Sequence, residues 1–277
     1  MADKMQWSNA LSTRPSLEAA ISEVVEEASG KLSTQANLGI AFISSAFTSE
    51  YSRFLPLLAE QLDVPVLIGC SGGGVVGTSS GGEAQELEDE PALSLTLAYL
   101  PEVNIHPFHV VAEELPDLDS SPNAWIDLIG VPQNSTPQFI LLSSNIGSGI
   151  NDLLKGLDFA YPDSVVVGGQ ASGGMANRIA LFSNNKLYTE GSVGVALTGN
   201  ITLDTIVAQG CRPIGTPHQI GKCDRNIILE IDEQVPLMLL RDLIASLSEE
   251  EKVLAQNSLF VGVAMSEFKQ DLQQGDF

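Results

Sequence analysis

Short apolar runs and amphipathic stretches alternate along most of the chain. Apolar residues recur at helical spacing over 15–30 and again over 48–62, which predicts two helices with one apolar face each. Apolar runs at 38–42, 64–68 and 139–142 are too short for helices and predict buried strands. The pattern therefore predicts a mixed α/β fold with a largely β core and flanking helices.

Further strands and breaks follow from the same pattern. Strands are predicted at 92–100, 103–111, 179–182, 187–188, 192–197, 201–207, 227–231 and 259–264, a tight turn at Asn184-Asn185, and a helix opened by Pro236. Because only Pro101-Glu102 separates the first two strands, we expect them to pair as a hairpin. Residues 78–91 combine small and acidic residues, which predicts an exposed acidic loop. Residues 1–13 are expected to be irregular.

Two of the predicted strands end in glycine-rich turns. The strand at 64–68 runs into Gly-Cys-Ser-Gly-Gly-Gly at 69–74, and the strand at 165–167 runs into Gly-Gly-Gln-Ala-Ser-Gly-Gly at 168–174. Small residues at a strand end allow another group to approach the backbone closely. The two turns together predict one binding site.

The surroundings of the two turns are also alike. The order of strand, Ser-Ser pair, helix, strand and glycine turn begins at Ile40 and begins again at Ile140. This similarity predicts an internal duplication, with the two turns related by approximate symmetry. Ser144 and Asn145 lie at the end of the strand that begins at Ile140. There they either donate hydrogen bonds to a ligand or cap the next helix.

The charge balance excludes some classes of function. The chain has 13 basic and 35 acidic residues and a formal net charge of -22, whereas nucleic-acid binding requires clustered Lys and Arg. No signal peptide and no apolar run long enough to cross a bilayer is recognised, so a cytoplasmic protein without membrane insertion is expected. The three cysteines and three histidines show no metal-ligand spacing, so neither a disulfide framework nor a metal site is expected.

The first glycine turn matches two functional sequence motifs. Residues 72–77 fit G-x-G-x-x-G, but the segment that follows cannot begin the helix that a dinucleotide site needs. Residues 69–73 fit the G-x-S-x-G nucleophile elbow, with Asp204 and His218 later in the chain. The helix that should follow the serine is again missing, so a hydrolase that uses Ser71 or Cys70 is the least favoured alternative.

Arg212 is the strongest single candidate for ligand binding. It lies in a compact turn between Cys211 and Pro213, in a chain with few cations. Its planar guanidinium group can bind a carboxylate or phosphate with two parallel hydrogen bonds. Pairing with one of the many acidic side chains is an equally natural role, and the two interpretations stay open.

Several motifs in order resemble those of a known family, the FIST (F-box and intracellular signal transduction) proteins. They are 68–74, 168–174, 209–215 and 226–232. Residues 38–230 resemble the N-terminal domain of the family and 231–277 the beginning of its C-terminal domain, after an N-terminal helix region at 1–37. Residues 274–277 resemble a motif inside the C-terminal domain, so the resemblance predicts a truncated form of a longer protein.

The resemblance implies an intracellular sensory domain for signal transduction that binds a small polar ligand, with amino acids as the candidate class. No catalytic residues, cofactor or metal are expected, and the protein is predicted not to be an enzyme. The predicted ligand-binding residues are Cys70, Ser71, Gly72, Gly73, Ser144, Asn145, Gly169, Ser172, Gly173 and Arg212. The alternative is a protein-interaction module that recruits a basic protein partner through its acidic surface.

Overall fold

The computed structural model describes residues 4–144, 148–173, 179–206, 211, 213–225 and 227–264. In these residues the strands are β1 (Gln6–Ser12), β2 (Leu38–Ser44), β3 (Val66–Gly72), β4 (Gly74–Thr78), β5 (Ala84–Glu88), β6 (Leu93–Tyr99), β7 (Val103–Val110), β8 (Gln138–Ser143), β9 (Val166–Gln170), β10 (Leu181–Ser183), β11 (Lys186–Tyr188), β12 (Ser192–Gly199), β13 (Ile220–Asp224) and β14 (Ile227–Ile231). The α-helices are α1 (Leu17–Gly30), α2 (Tyr51–Ala59), α3 (Pro122–Ile129), α4 (Ile150–Ala160), α5 (Pro236–Ser246) and α6 (Glu249–Ser258).

Two sheets form the framework of the first compact unit, residues 1–204. The larger sheet has the order β1-β6-β2-β3-β10-β11, and the smaller has the order β7-β12-β8-β9. Each sheet contains one parallel pair, β2–β3 in the first and β8–β9 in the second. A helix connects the strands of each pair, as parallel pairing requires. The mixed α/β prediction is confirmed.

The core is arranged in layers. Apolar side chains from both sheets, among them Ile68 and Leu181 from the larger and Val195 from the smaller, pack together between the sheets. Helices α1 and α2 cover the outer face of the larger sheet, and α3 and α4 cover the outer face of the smaller. The result is a helix, sheet, sheet, helix order, and Cys70 and Ala171 of the two glycine turns are part of the core between the sheets.

Helix α1 shows how the sequence pattern produces one of these layers. Its N-cap, Ser16, accepts a hydrogen bond from the Ala19 amide at 3.4 Å, which satisfies one donor of the first turn. Every apolar residue of the predicted helical stripe is buried: Leu17, Ala20, Ile21, Val24, Val25 and Ala28. The predicted helix at 15–30 is confirmed, with its first turn at Leu17.

The predicted hairpin of 92–100 with 103–111 was wrong, because local pattern does not identify the partner strand, and two predicted strands were also wrong. The runs at 92–100 and 103–111 form β6 and β7, but β6 pairs with β1 and β2 while β7 pairs with β12 in the other sheet. Residues 201–206 and 259–264 have no strand structure in the part of the chain that is described.

Two segments expected to be irregular form strands. Within 1–13, the polar sequence of β1 pairs along its whole length with β6 at the edge of the larger sheet. Within 78–91, β5 pairs with β4 as a hairpin that remains exposed and acidic. Both strands are held by backbone bonds rather than by a continuous apolar run; β1 adds several buried side chains, and β5 adds the partly buried Leu87.

The second compact unit covers residues 205–277. Its described part contains the β13–β14 hairpin, the predicted helix opened by Pro236, and α6. Ser248 and Glu251 form a capping box at the start of α6. The domain boundaries after residues 37 and 230 remain predictions.

Candidate functional site

The two glycine turns meet at the ends of β3 and β9. The Ser172 amide donates to the Ser71 carbonyl at 3.1 Å, and the Ser71 hydroxyl donates to the Ser172 carbonyl at 3.1 Å. The Gly73 amide donates to the Ser172 hydroxyl at 3.0 Å. Residues about a hundred positions apart thus form one hydrogen-bonded junction, which joins the larger sheet to the smaller.

Gly173 explains why this junction needs glycine. Its φ of 87° lies in the left-handed region, and a Cβ atom there would stand 2.4 Å from the Gly72 carbonyl oxygen and 2.6 Å from the Gly73 nitrogen. No side chain fits at either distance. The close approach is therefore between the two turns themselves.

The predicted nucleophiles are buried in this junction. Ser71 is 1% exposed, and its hydroxyl accepts a hydrogen bond from the Ala180 amide at 3.1 Å besides donating to Ser172. Burial raises the pKa of the Cys70 thiol to about 12, which keeps it protonated near neutral pH. Ser71 is a structural part of the junction, and Cys70 packs in the apolar core between the sheets.

Among the described residues, His218 is paired with an aspartate other than Asp204. Nδ1 of His218 lies 2.7 Å from a carboxylate oxygen of Asp232 within the second unit, and Asp204 lies in the first unit. The other Asp232 oxygen accepts a hydrogen bond from the Gln219 amide at 2.9 Å. The hydrogen bond from the Gln219 amide, and after it the contact with His218, lower the pKa of Asp232. The two contacts join the residues before β13 to the residue after β14.

The remaining nominated residues divide into buried and exposed groups. Gly72 and Ser144 are buried, whereas Gly169 and Ser172 are exposed. Open space surrounds Gly169, because no atom lies within 4 Å of a Cβ built there. Exposed backbone on β9 therefore lies directly beside the junction.

Asn145 and Arg212 lie outside the described residues. Their proposed contacts with a ligand remain predictions. The neighbours of Arg212, Cys211 and Pro213, are exposed.

Most of the backbone amides of 70–73 and 169–173, which the sequence predicts as donors to a ligand, already donate hydrogen bonds within the protein. Besides the amides of Gly73 and Ser172, the Ser71 amide donates to Ala180 and the Ala171 amide donates to Ser143. These groups hold the protein together and are unavailable to a ligand.

The edge of β9 that faces away from β8 offers further donors and acceptors beside the junction. The bond from Ala171 to Ser143 fixes which β9 residues face β8, because successive residues of a parallel strand alternate in direction. Gly168 and Gln170 therefore direct their N–H and C=O groups away from β8, and both residues are exposed. Only the strand order, with β9 at the sheet edge, identifies these groups.

Among the described residues, no three His, Cys, Asp or Glu side chains are grouped closely enough to hold a metal ion. None of the described helices has the length and apolar character needed to cross a bilayer. The two concavities identified on the surface are lined by other residues, at the start of β3 and on α5.

Comparison with known proteins identifies the class. Residues 37–234 match the family model described as the FIST N domain, and the chain belongs to this family. The FIST domain is generally a sensory domain of signal transduction. The family prediction made from the motifs is confirmed.

Relatives in mycobacteria are similar along almost the whole chain. Uncharacterized protein Mb0898c of Mycobacterium bovis is 30% identical over 270 residues, which cover 96% of this chain and 66% of that protein. Uncharacterized protein Rv0628c of Mycobacterium tuberculosis strain H37Rv is also 30% identical over 270 residues, with 96% and 67% covered. The chain spans about two thirds of the length of the curated relatives that it matches.

Proposed function

We propose that this protein is a sensory module that binds a free amino acid at the exposed edge of β9, beside the junction of the two glycine turns. The observation that supports this proposal is the junction, because exposed backbone of β9 lies next to the hydrogen bonds that join the two sheets. A ligand at this position acts on both sheets at once. That coupling suits a sensor, whose ligand must change the protein beyond its own site.

An amino acid has the chemistry of the open edge. When a residue pairs with the edge of a parallel sheet, its N–H donates to the carbonyl of one edge residue. Its own carbonyl accepts a hydrogen bond from the amide two positions later on that edge. An amino acid bound in the same way donates from its ammonium group to the Gly168 carbonyl, and its carboxylate accepts from the Gln170 amide. No atom lies within 4 Å of a Cβ built at Gly169, so the face of β9 beside this edge leaves room for the side chain of the ligand.

Isothermal titration calorimetry against the twenty amino acids tests the proposal. Gly169→Leu fills the open space without a backbone clash, and we expect it to abolish binding. Gly30→Leu is the matched control, because a Cβ at Gly30 also has no neighbour within 4 Å. Absence of binding by the unmodified protein, or equal binding by both variants, would refute the β9 site.

A second candidate function rests on the β4–β5 hairpin. Leu87 packs with Leu11, Val75 and Ala92, which anchors the hairpin to the first unit. Glu86 and Glu88 are two positions apart on one strand, so they project from the same face, and both are exposed. This fixed pair of carboxylates favours the protein-interaction alternative, with a basic partner.

Charge-removing variants separate the two functions. Capture of a basic partner in pulldown experiments should be lost in Glu86→Gln/Glu88→Gln and retained in Glu26→Gln/Asp158→Asn, which removes two exposed carboxylates elsewhere. Amino-acid binding should be unchanged in both variants. Equal capture by both would exclude specific recognition by the hairpin.

A further inference from the structure

A groove of about 520 Å³ lies in the first unit, beside the start of β3. It is bordered by the C-terminal half of α2, the segment leading into β3 and the turn between β10 and β11. The lining residues that are described are Leu55, Leu58, Ala59, Leu62, Asp63, Val64, Pro65, Leu67, Asn184 and Asn185. Because β3 runs from here to the glycine turn, the groove and the junction lie at opposite ends of one strand.

The inner wall of the groove is apolar. Leu55, Leu58 and Leu67 are 4%, 3% and 5% exposed and belong to the core beneath α1 and α2. Leu62 and Val64 are partly buried and pack against the same core. The first three leucines are therefore packed into the core, and Leu62 and Val64 supply the apolar surface that a ligand can contact.

The rim is polar and carries negative charge. Asp63 is the one charged side chain among the described lining residues, and one of its oxygens accepts a hydrogen bond from Gln35 at 3.1 Å. Asn184 and Asn185 adopt left-handed φ values of 44° and 62° in the confirmed tight turn. The described contacts include no side-chain hydrogen bond for either asparagine, so their amides are available to a ligand.

Three electrostatic features of the groove favour a cation. The Asp63 carboxylate lies at the rim, and the C-terminal end of α2, which carries partial negative charge, contributes Leu58 and Ala59 to the lining. The formal net charge of -22 adds a field that attracts cations to the whole surface. Lys186, next to Asn185, is exposed and does not line the groove. An anionic ligand would meet repulsion at the rim.

We infer that this groove binds a small organic cation with an apolar body, such as a primary arylalkylamine. The apolar body packs against Leu62 and Val64, and the ammonium group donates to the Asp63 carboxylate and to a side-chain oxygen of Asn184 or Asn185. The volume is within the range of small-molecule sites, about 300–1,000 Å³. This site is independent of the proposed amino-acid site.

NMR titration of the full chain with phenethylamine tests the inference. We expect amide shifts at 58–67 and 184–185, and none of comparable size with 3-phenylpropionate, which has the same ring and the opposite charge. Asp63→Asn keeps an acceptor for Gln35 and should weaken phenethylamine binding about five-fold, as for an exposed ion pair. Asp158→Asn removes an exposed charge on α4 and should leave binding unchanged.

A second variant tests the groove by steric means. Leu62→Arg places a bulky cation in the groove at a partly exposed position, and it should abolish phenethylamine binding without loss of folding. The inference is overturned by equal shifts with the amine and the acid, by shifts confined to other regions, by their absence at millimolar amine, or by unchanged binding in Asp63→Asn.

Discussion

Gly173→Ala should break the junction between the two glycine turns. The new Cβ would lie 2.4 Å from the Gly72 carbonyl oxygen and 2.6 Å from the Gly73 nitrogen, and both are backbone atoms that cannot rotate away. The left-handed φ of 87° adds about 1–2 kcal/mol for an L-residue. The turns must then separate, which weakens the hydrogen bonds between Ser71, Ser172 and Gly73 at about 1 kcal/mol each.

If all three bonds are lost, these contributions predict a loss of about 4–5 kcal/mol in the free energy of unfolding of the first unit. Both tryptophans, Trp7 and the fully buried Trp125, lie in this unit, so fluorescence during urea denaturation reports its unfolding. Gly169→Ala is the matched control, because its Cβ meets no atom within 4 Å, and its stability should remain within about 0.5 kcal/mol of the unmodified protein. Equal losses in the two variants, or none in Gly173→Ala, would refute the role of the close approach.

Three further predictions concern single groups. Ser71→Ala leaves the buried Ala180 amide without its side-chain acceptor and should destabilise the first unit by about 1–3 kcal/mol, measured in the same denaturation assay. Mass spectrometry after brief alkylation at pH 8 should show Cys223 modified and Cys70 unmodified, because Cys70 is buried and its pKa is raised to about 12. Because the pKa of Asp232 is lowered on folding, its carboxylate stabilises the second unit at pH values above the ordinary pKa of 3.8. This stabilisation should be lost as the pH falls through the pKa of the folded state. Circular dichroism should therefore show that the stability of Asp232→Asn depends less on acid pH.

The sequence was sufficient to predict elements that are marked by local patterns of residues. The stripe of α1 and the small residues of the two turns are local signals, and the structure places both as expected. The choice of strand partner is not local. Strands β6 and β7 are separated by a short turn in which Glu102 has a φ of 60°, yet they join different sheets because each finds its partners far along the chain.

The same distinction applies to the candidate site. The glycine letters at 69–74 and 168–174 predicted close backbone approach, and the structure shows that the turns approach each other. The open donors at Gly168 and Gln170 depend on strand order and on the alternation of hydrogen bonds along β9. Neither property can be read from residue types, so the sequence predicted the amides of 70–73 and 169–173 as donors without separating the bonded ones from that of Gln170, and it did not include Gly168.

The path of β9 into the junction suggests how a bound ligand could be sensed. The Ala171 amide is bonded to Ser143 in the smaller sheet, and the next amide, that of Ser172, is bonded to Ser71 in the larger sheet. Consecutive peptide groups are thus held by different sheets. A ligand that shifts the Gln170 amide must strain one of these bonds, because the peptide units between them are short and planar. The response should therefore appear first in the packing between the sheets, around Cys70 and Val193, rather than in the helices on the outer faces.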